Sequence, residues 1–274
     1  MIEDNADSLR GSILFSQEQY QLDFLTGRST SAAATCPHAQ DWSLKCCCNT
    51  VQIELIVAAS VYTLLIFLFW NWKILLPLKL IVVSLHEIGH ATAALLTCGK
   101  VLSIEVRPNE GGVTKTQGGN RFIILSAGYL GSAFWGMICV ITSSDFIGVQ
   151  VMAGLLSIAL LISMVLANNF TIVALHVFFL LLIAGFWACT ILTVFNGLRF
   201  IILLIGVMSG LFSIYDVYDD LLARRVNESD ATMLANHTHT SSRCWGAIWA
   251  VISLCFFGLG IYLSLVVGSN PNNK

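Results

Sequence analysis

The sequence predicts an all-α polytopic membrane protein of six to seven transmembrane helices, with one short β-hairpin loop among them. Three observations carry that reading. The 274 residues are 56% hydrophobic and 11% charged, with a mean hydropathy of +0.78, far more apolar than a soluble domain of this size. The apolar positions gather into runs that approach the ~20 residues a helix needs to cross a bilayer. One of those runs, Ile81 to Leu96 (IVVSLHEIGHATAALL), carries two histidines and a glutamate where ionisable groups are expensive.

Residues 1–50 are polar, mixed in charge and rich in Ser, Ala and Gln, and read as a disordered cytosolic N-terminal tail. They hold no apolar core between a basic start and a small-residue cleavage site, so no secretory signal peptide is read there. Residues 51–268 form the membrane-embedded domain, and 269–274 a short polar tail. Spans fall at about 53–70, 76–98, 122–141, 149–167, 170–192, 198–215 and 246–267. Only Asn168 and Asn169 separate the fourth from the fifth, and only TVFNG the fifth from the sixth. A broken or re-entrant helix at either place would reduce the count to six.

With the N-terminus in the cytosol, ten of the fourteen Lys and Arg fall on the cytosolic side. That orientation puts the N-terminal tail, the loop after HEIGH and the segment after Tyr215 on one face. The chain is expected in an endomembrane or the plasma membrane. A net charge of -2, with no basic run interleaved with aromatics, excludes nucleic acid as a partner. The partners left are the lipid bilayer and transmembrane protein substrates delivered within it.

In a helix, His86 and His90 stand four residues apart and project from one face, so both rings can approach one ion. Zinc, Zn(2+), takes imidazole nitrogen readily, and in catalytic sites it keeps one position open. Glu87 lies about 100° further round the helix. From there it can act as general base without ligating, the arrangement of H-E-x-x-H metallohydrolases. Charged groups at that depth cost roughly 2.5–3.5 kcal/mol each on insertion scales, and they commonly mark function.

A third protein ligand is needed. SIYDVYDD supplies Asp216, Asp219 and Asp220 at i, i+3 and i+4, one acidic helical face. Asp216 lies deepest toward the bilayer and ranks first, then Asp219 and Asp220. The alternative for all three is an interface patch paired with Arg224 and Arg225.

The set HEIGHATAALLTCGKV, IEVRPNEGGVTKTQGG, SAGYLGSAFWG and SIYDVYDD resembles the site-2 protease family of intramembrane zinc metallopeptidases, over roughly Leu78 to Ala235. More narrowly it is similar to the compact site-2-protease-like branch of plants, fungi and bacteria. The resemblance implies His86 and His90 as zinc ligands and Glu87 as catalytic base. Better-known members draw the third ligand from an LDG motif. This sequence has none, and Asp216 in YDVYD is the substitute. Such enzymes cleave transmembrane helices from within the bilayer, often releasing a cytosolic regulatory domain.

Around NEGG, the segment KVLSIEVRPNEGGVTKTQGGNR alternates apolar and polar residues and reads as a hairpin. Its edge, near Asn109, Gly111, Gly112 and Val113, could hold an unwound substrate by strand addition. Gly128, Gly131, Ser132 and Gly136 place small residues at about one-turn spacing and predict close packing against the metal-bearing helix. Cys98, Cys139, Cys189 and Cys255 sit in or beside apolar runs and read as packing residues. Cys46, Cys47 and Cys48, just before the first span, read as S-palmitoylation candidates rather than, with His38, a second metal site. His176 reads as a core residue, and His237 and His239 as loop residues. The sequons beginning at Asn169, Asn227 and Asn236 face the cytosol in this orientation and predict no glycosylation.

A zinc endopeptidase of the membrane interior is the leading function. A catalytically inactive pseudoprotease acting as a membrane scaffold or client-binding protein is the alternative. A metal transporter ranks below both, because one histidine pair and one acidic cluster make a single site rather than a path.

Overall fold

Helix boundaries follow the residues that can satisfy free backbone groups. The structure, a computed structural model, describes residues 42, 44, 47–107, 111–193, 195–222 and 229–269. The expected tails, 1–50 for the most part and 270–274, lie outside the described residues. Helix α1 (Thr50–Phe69) begins at Asn49, in a reciprocal capping box with Gln52. A 3-10 turn (Lys73–Leu75) leads into α2 (Leu76–Leu96), with Pro77 in the first turn, where its missing N–H is tolerated. Strands β1 (Lys100–Val106) and β2 (Gly112–Gln117) form the hairpin. Then come α3 (Arg121–Thr142) capped by Asn120, α4 (Phe146–Val165) capped by Asp145, α5 (Phe170–Leu192) and α6 (Leu198–Leu222). A short helix α7 (Asp230–Thr238), capped by Ser229, precedes α8 (Ser242–Gly268).

Among the described residues, six helices are long and apolar enough to cross a membrane: α1, α2 with its 3-10 turn, α3, α4, α5 and α8. The sequence's sixth run is helical as well, but in α6 the shorter apolar part ends at Phe212. That helix is shielded instead: Leu198, Ile202, Leu203, Met208 and Phe212 are all buried. Since lipid is as apolar as these side chains, close packing holds such helices together. Gly136 of α3 and Gly206 of α6 face each other so closely that a Cβ on Gly206 would lie 2.9 Å from the Gly136 carbonyl oxygen.

The direction of α1 corrects one expectation. Asn49 donates to the Gly268 carbonyl at 2.7 Å and Gln52 to the Leu265 carbonyl at 2.7 Å, both at the C-terminal end of α8. Glu54 pairs with Arg199, at the start of α6, at 3.1 Å. The opposite end of α8 packs on the start of α3, through Trp245 with Phe122 and Trp249 with Tyr129. The start of α3 follows the hairpin directly. The chain therefore enters α1 at the bundle end opposite the hairpin, not on the same face. Trp70, closing α1, stacks on Tyr215 at 4.2 Å and lies under the Lys79 ammonium at 4.3 Å. The start of α2 is thus seated beside the C-terminal half of α6, and α1 and α2 both travel toward the hairpin.

The hairpin is antiparallel, with Ile104 opposite Thr114 and Val106 opposite Gly112. Ile104 and Val106 point inward and are buried. Its outer side is fastened to the turn between α4 and α5. The Ile104 N–H donates to the Leu166 carbonyl at 2.9 Å, and the Asn168 N–H donates to the Ile104 carbonyl at 3.2 Å. Glu105 accepts from Lys115 at 2.9 Å and from Asn168 at 3.0 Å, and these bonds hold its carboxyl down at about 2. The α4–α5 turn thereby occupies the outer edge of β1.

This packing sets the topology. A compartment reporter fused at the N-terminus and one inserted between Arg107 and Gly111 are expected on opposite sides of the membrane. Recovery of both in one compartment would contradict the seating of α1 against Gly268.

Candidate metal centre

His86, Glu87 and His90 lie in the middle of α2 and are 8%, 4% and 6% exposed. The i, i+4 spacing brings the imidazoles together on one helical face, edge to face with ring centroids 4.7 Å apart. His90 Nδ1–H donates to the Ile124 carbonyl at 2.6 Å, which leaves its Nε2 as a lone pair directed inward. His86 is held by packing instead. Its ring meets Tyr129 edge-on at 4.7 Å, and Tyr129 stacks on Trp249 of α8 at 5.3 Å.

The third group is Asp230, the first residue of α7. Its Oδ2 lies 2.9 Å from His86 Nε2 and 3.0 Å from His90 Nε2, and the two Nε2 atoms are 3.0 Å apart. Ser229 fixes the start of α7 by accepting from the Thr232 N–H. Ala231 and Leu234 anchor the helix in an apolar cluster with Leu125, Tyr129 and Trp249. Burial pushes the Asp230 carboxyl up, but His90 and then His86 outweigh it and hold the group well below the usual carboxylate range.

These atoms fit a metal. Three acceptors converge, and a single proton on His86 Nε2 could bridge to only one of its two neighbours. A divalent cation satisfies all three. Ligand atoms about 2 Å from a tetrahedral zinc lie about 3.3 Å from one another, close to the observed triangle. Space is provided by Gly128 of α3, where a Cβ would overlap both Nε2 atoms. Among the described residues, His86, His90 and Asp230 form the group that could hold an ion.

Glu87 points from the same turn toward β2. Its Oε2 accepts from Thr114 Oγ1 at 2.6 Å, and a Cβ on Gly112 would overlap its Oε1. Of the expected hairpin residues, Gly112 therefore meets Glu87. The Gly111 carbonyl accepts from the Arg107 N–H at 2.8 Å, Val113 faces outward, and Asn109 lies outside the described residues.

Asp216, Asp219 and Asp220 fall in the last turns of α6, and their side chains lie outside the described residues. Asp230 was not anticipated. The available signal was Ser229 as a helix N-cap before the amphipathic ATMLANHT, hidden in a polar stretch that also reads as a sequon. The small-residue stripe of α3 divides its contacts: Gly128 meets the histidines, Gly131 lies by Gly89, and Gly136 serves α6. His176 is buried in α5 and stands outside the triad. His237 and His239 close α7, the latter in a left-handed conformation at φ 56°. Cys47 and Cys48 precede α1 with their sulfurs paired, and Cys46 lies outside the described residues.

The model of the Peptidase M50B-like family matches residues 59–260, most of the chain. The chain belongs to that family. No curated protein and no solved structure matches it. The resemblance to site-2 proteases read from HEIGHA is thereby borne out, and the M50B-like match spans the metal helix, the hairpin and Asp230 alike. Six apolar helices make this M50B-like protein an integral multi-pass membrane protein.

Metal content of the purified chain checks the site directly. Gly128→Ala should lower bound divalent metal from about one per chain to a small fraction of that, because the methyl enters the ligand triangle. Gly131→Ala, whose methyl meets only the Gly89 Cα at 3.5 Å, should leave metal content unchanged.

Proposed function

We propose that the chain is an intramembrane zinc metalloendopeptidase that hydrolyses peptide bonds in or near transmembrane segments of membrane proteins. The observation that carries the proposal is a buried His86/His90/Asp230 triangle, with a separate carboxylate, Glu87, held beside it and not part of it. A purely structural site has no need of that fourth group.

In this reading Asp230, rather than Asp216, is the third zinc ligand. Zinc, when bound, would supply Lewis acidity toward the scissile carbonyl and acidify the attacking water. Glu87 takes the proton from that water as its oxygen bonds to the carbonyl carbon. The same carboxyl then gives the proton to the amine nitrogen as the C–N bond breaks. His90 keeps its tautomer through the Ile124 carbonyl, and Tyr129 keeps the ring of His86 in place.

A helical substrate must be extended before its peptide bonds can be attacked. With the outer edge of β1 taken by the α4–α5 turn, the free edge of β2 supports docking of an unwound segment by strand addition. Lys100, Arg107, Lys115, Arg121 and Arg243 all belong to segments at the hairpin end, which favours a cytosolic position for it. By the packing of α1, Asn49 then lies on the opposite side of the membrane.

Glu87→Gln is expected to retain zinc and to lose cleavage of a co-expressed single-span reporter by at least roughly 100-fold, the usual contribution of a general base. Unchanged cleavage would sink the peptidase reading. A scaffold that uses the metal only as a staple would bind its clients equally well with either residue.

A further inference from the structure

We propose that Thr114 is the positioning residue for Glu87, and that it links the base to the strand edge on which substrate docks. The inference rests on the metallopeptidase reading above and goes beyond it by assigning the hairpin a role in the chemistry.

The hydroxyl of Thr114 donates to Glu87 Oε2 at 2.6 Å and also lies 3.0 Å from the Glu87 backbone carbonyl. An ionised carboxylate offers two oxygens of equal basicity, and a donor on one of them distinguishes the pair. Oε2 is held by Thr114. Oε1 packs against Gly112, in the room that a Cβ there would take. The hairpin thus fixes the carboxylate of Glu87 by a hydrogen bond from Thr114 to Oε2 and by close contact of Gly112 with Oε1, and the donated bond makes Oε2 the less basic of the two.

The backbone of the same residue faces elsewhere. Ile104 sends both its N–H and its carbonyl to the α4–α5 turn, so it belongs to a non-hydrogen-bonded pair with Thr114. Thr114 must therefore turn its own N–H and carbonyl away from β1, toward the free edge of β2. No backbone partner meets them there among the described residues. A substrate strand adding at that edge would bond to the residue whose side chain fixes the base. Docking and base orientation then share one residue, with the hydroxyl serving Glu87 and the peptide groups serving substrate.

Thr114→Val keeps the shape and the backbone groups and removes the donor, while Thr114→Ser keeps the donor. The test uses the detergent-purified full-length chain, zinc analysis, and hydrolysis of a quenched-fluorescent casein. Thr114→Val should hold as much zinc as the wild type and show kcat lowered by roughly 10- to 100-fold, the range for losing a hydrogen bond to a charged group, with KM little changed. Thr114→Ser should recover most of kcat.

Wild-type kcat in Thr114→Val, or equal impairment of the Ser and Val variants, would overturn the positioning role and leave the peptidase reading intact, provided Glu87→Gln is inactive. Loss of zinc from Thr114→Val would overturn it too, by showing a structural role. If Glu87→Gln cleaves casein as well as wild type, or zinc-loaded wild type is inert toward it, the peptidase reading fails and this inference with it.

Discussion

Two imidazole nitrogens and a carboxylate oxygen meet within 3.0 Å of one another inside an apolar bundle, and a cation would resolve the repulsion between their lone pairs. The neighbouring architecture serves that convergence. The one-turn spacing in α2 aligns the histidines, the Ile124 carbonyl fixes one tautomer, and Gly128 leaves the centre clear of a Cβ that would overlap both Nε2 atoms. The third group, Asp230, comes from a nine-residue helix that is held by packing, through Ala231, Leu234, Tyr129 and Trp249. Trp249 is both the floor of that cluster and, through Tyr129, the support of His86. The position of α8 is therefore felt at the metal site through two routes.

The hairpin is the second constraint. One of its strands is occupied on both sides, by β2 and by the α4–α5 turn, so its free edge lies on β2, the strand that touches Glu87. A loop that merely connected two spans would have no reason to be fastened at Ile104, Glu105 and Val106 to a turn some sixty residues later. Rigid support on one side and an open edge on the other suit a surface that receives an extended chain. The ion pairs of Glu105 lie on the exposed face and contribute orientation more than stability.

Much of this was legible in the sequence, and the reasons are local. HEIGH states its own geometry, because helical periodicity alone determines which side chains share a face. The hairpin was readable from alternation around NEGG, and the helices from hydropathy. Asp230 was not, because the acidic face of Asp216, Asp219 and Asp220 carries a stronger periodic signal than one aspartate after a serine in a polar stretch. What brings Asp230 to the histidines is the docking of α7 on α3 and α8, a tertiary fact with no local signature. The direction of α1 is similar: hydropathy records that a run is apolar, while Asn49 on Gly268 and Glu54 on Arg199 record where it begins.

The most direct test of the ligand triangle is zinc K-edge X-ray absorption on the purified full-length chain, compared with its Asp230→Ala and Asp216→Ala variants. The account predicts a first shell of two imidazole nitrogens and carboxylate oxygen at about 2.0–2.1 Å, altered by Asp230→Ala and untouched by Asp216→Ala. A spectrum that changes with Asp216→Ala and survives Asp230→Ala would contradict it.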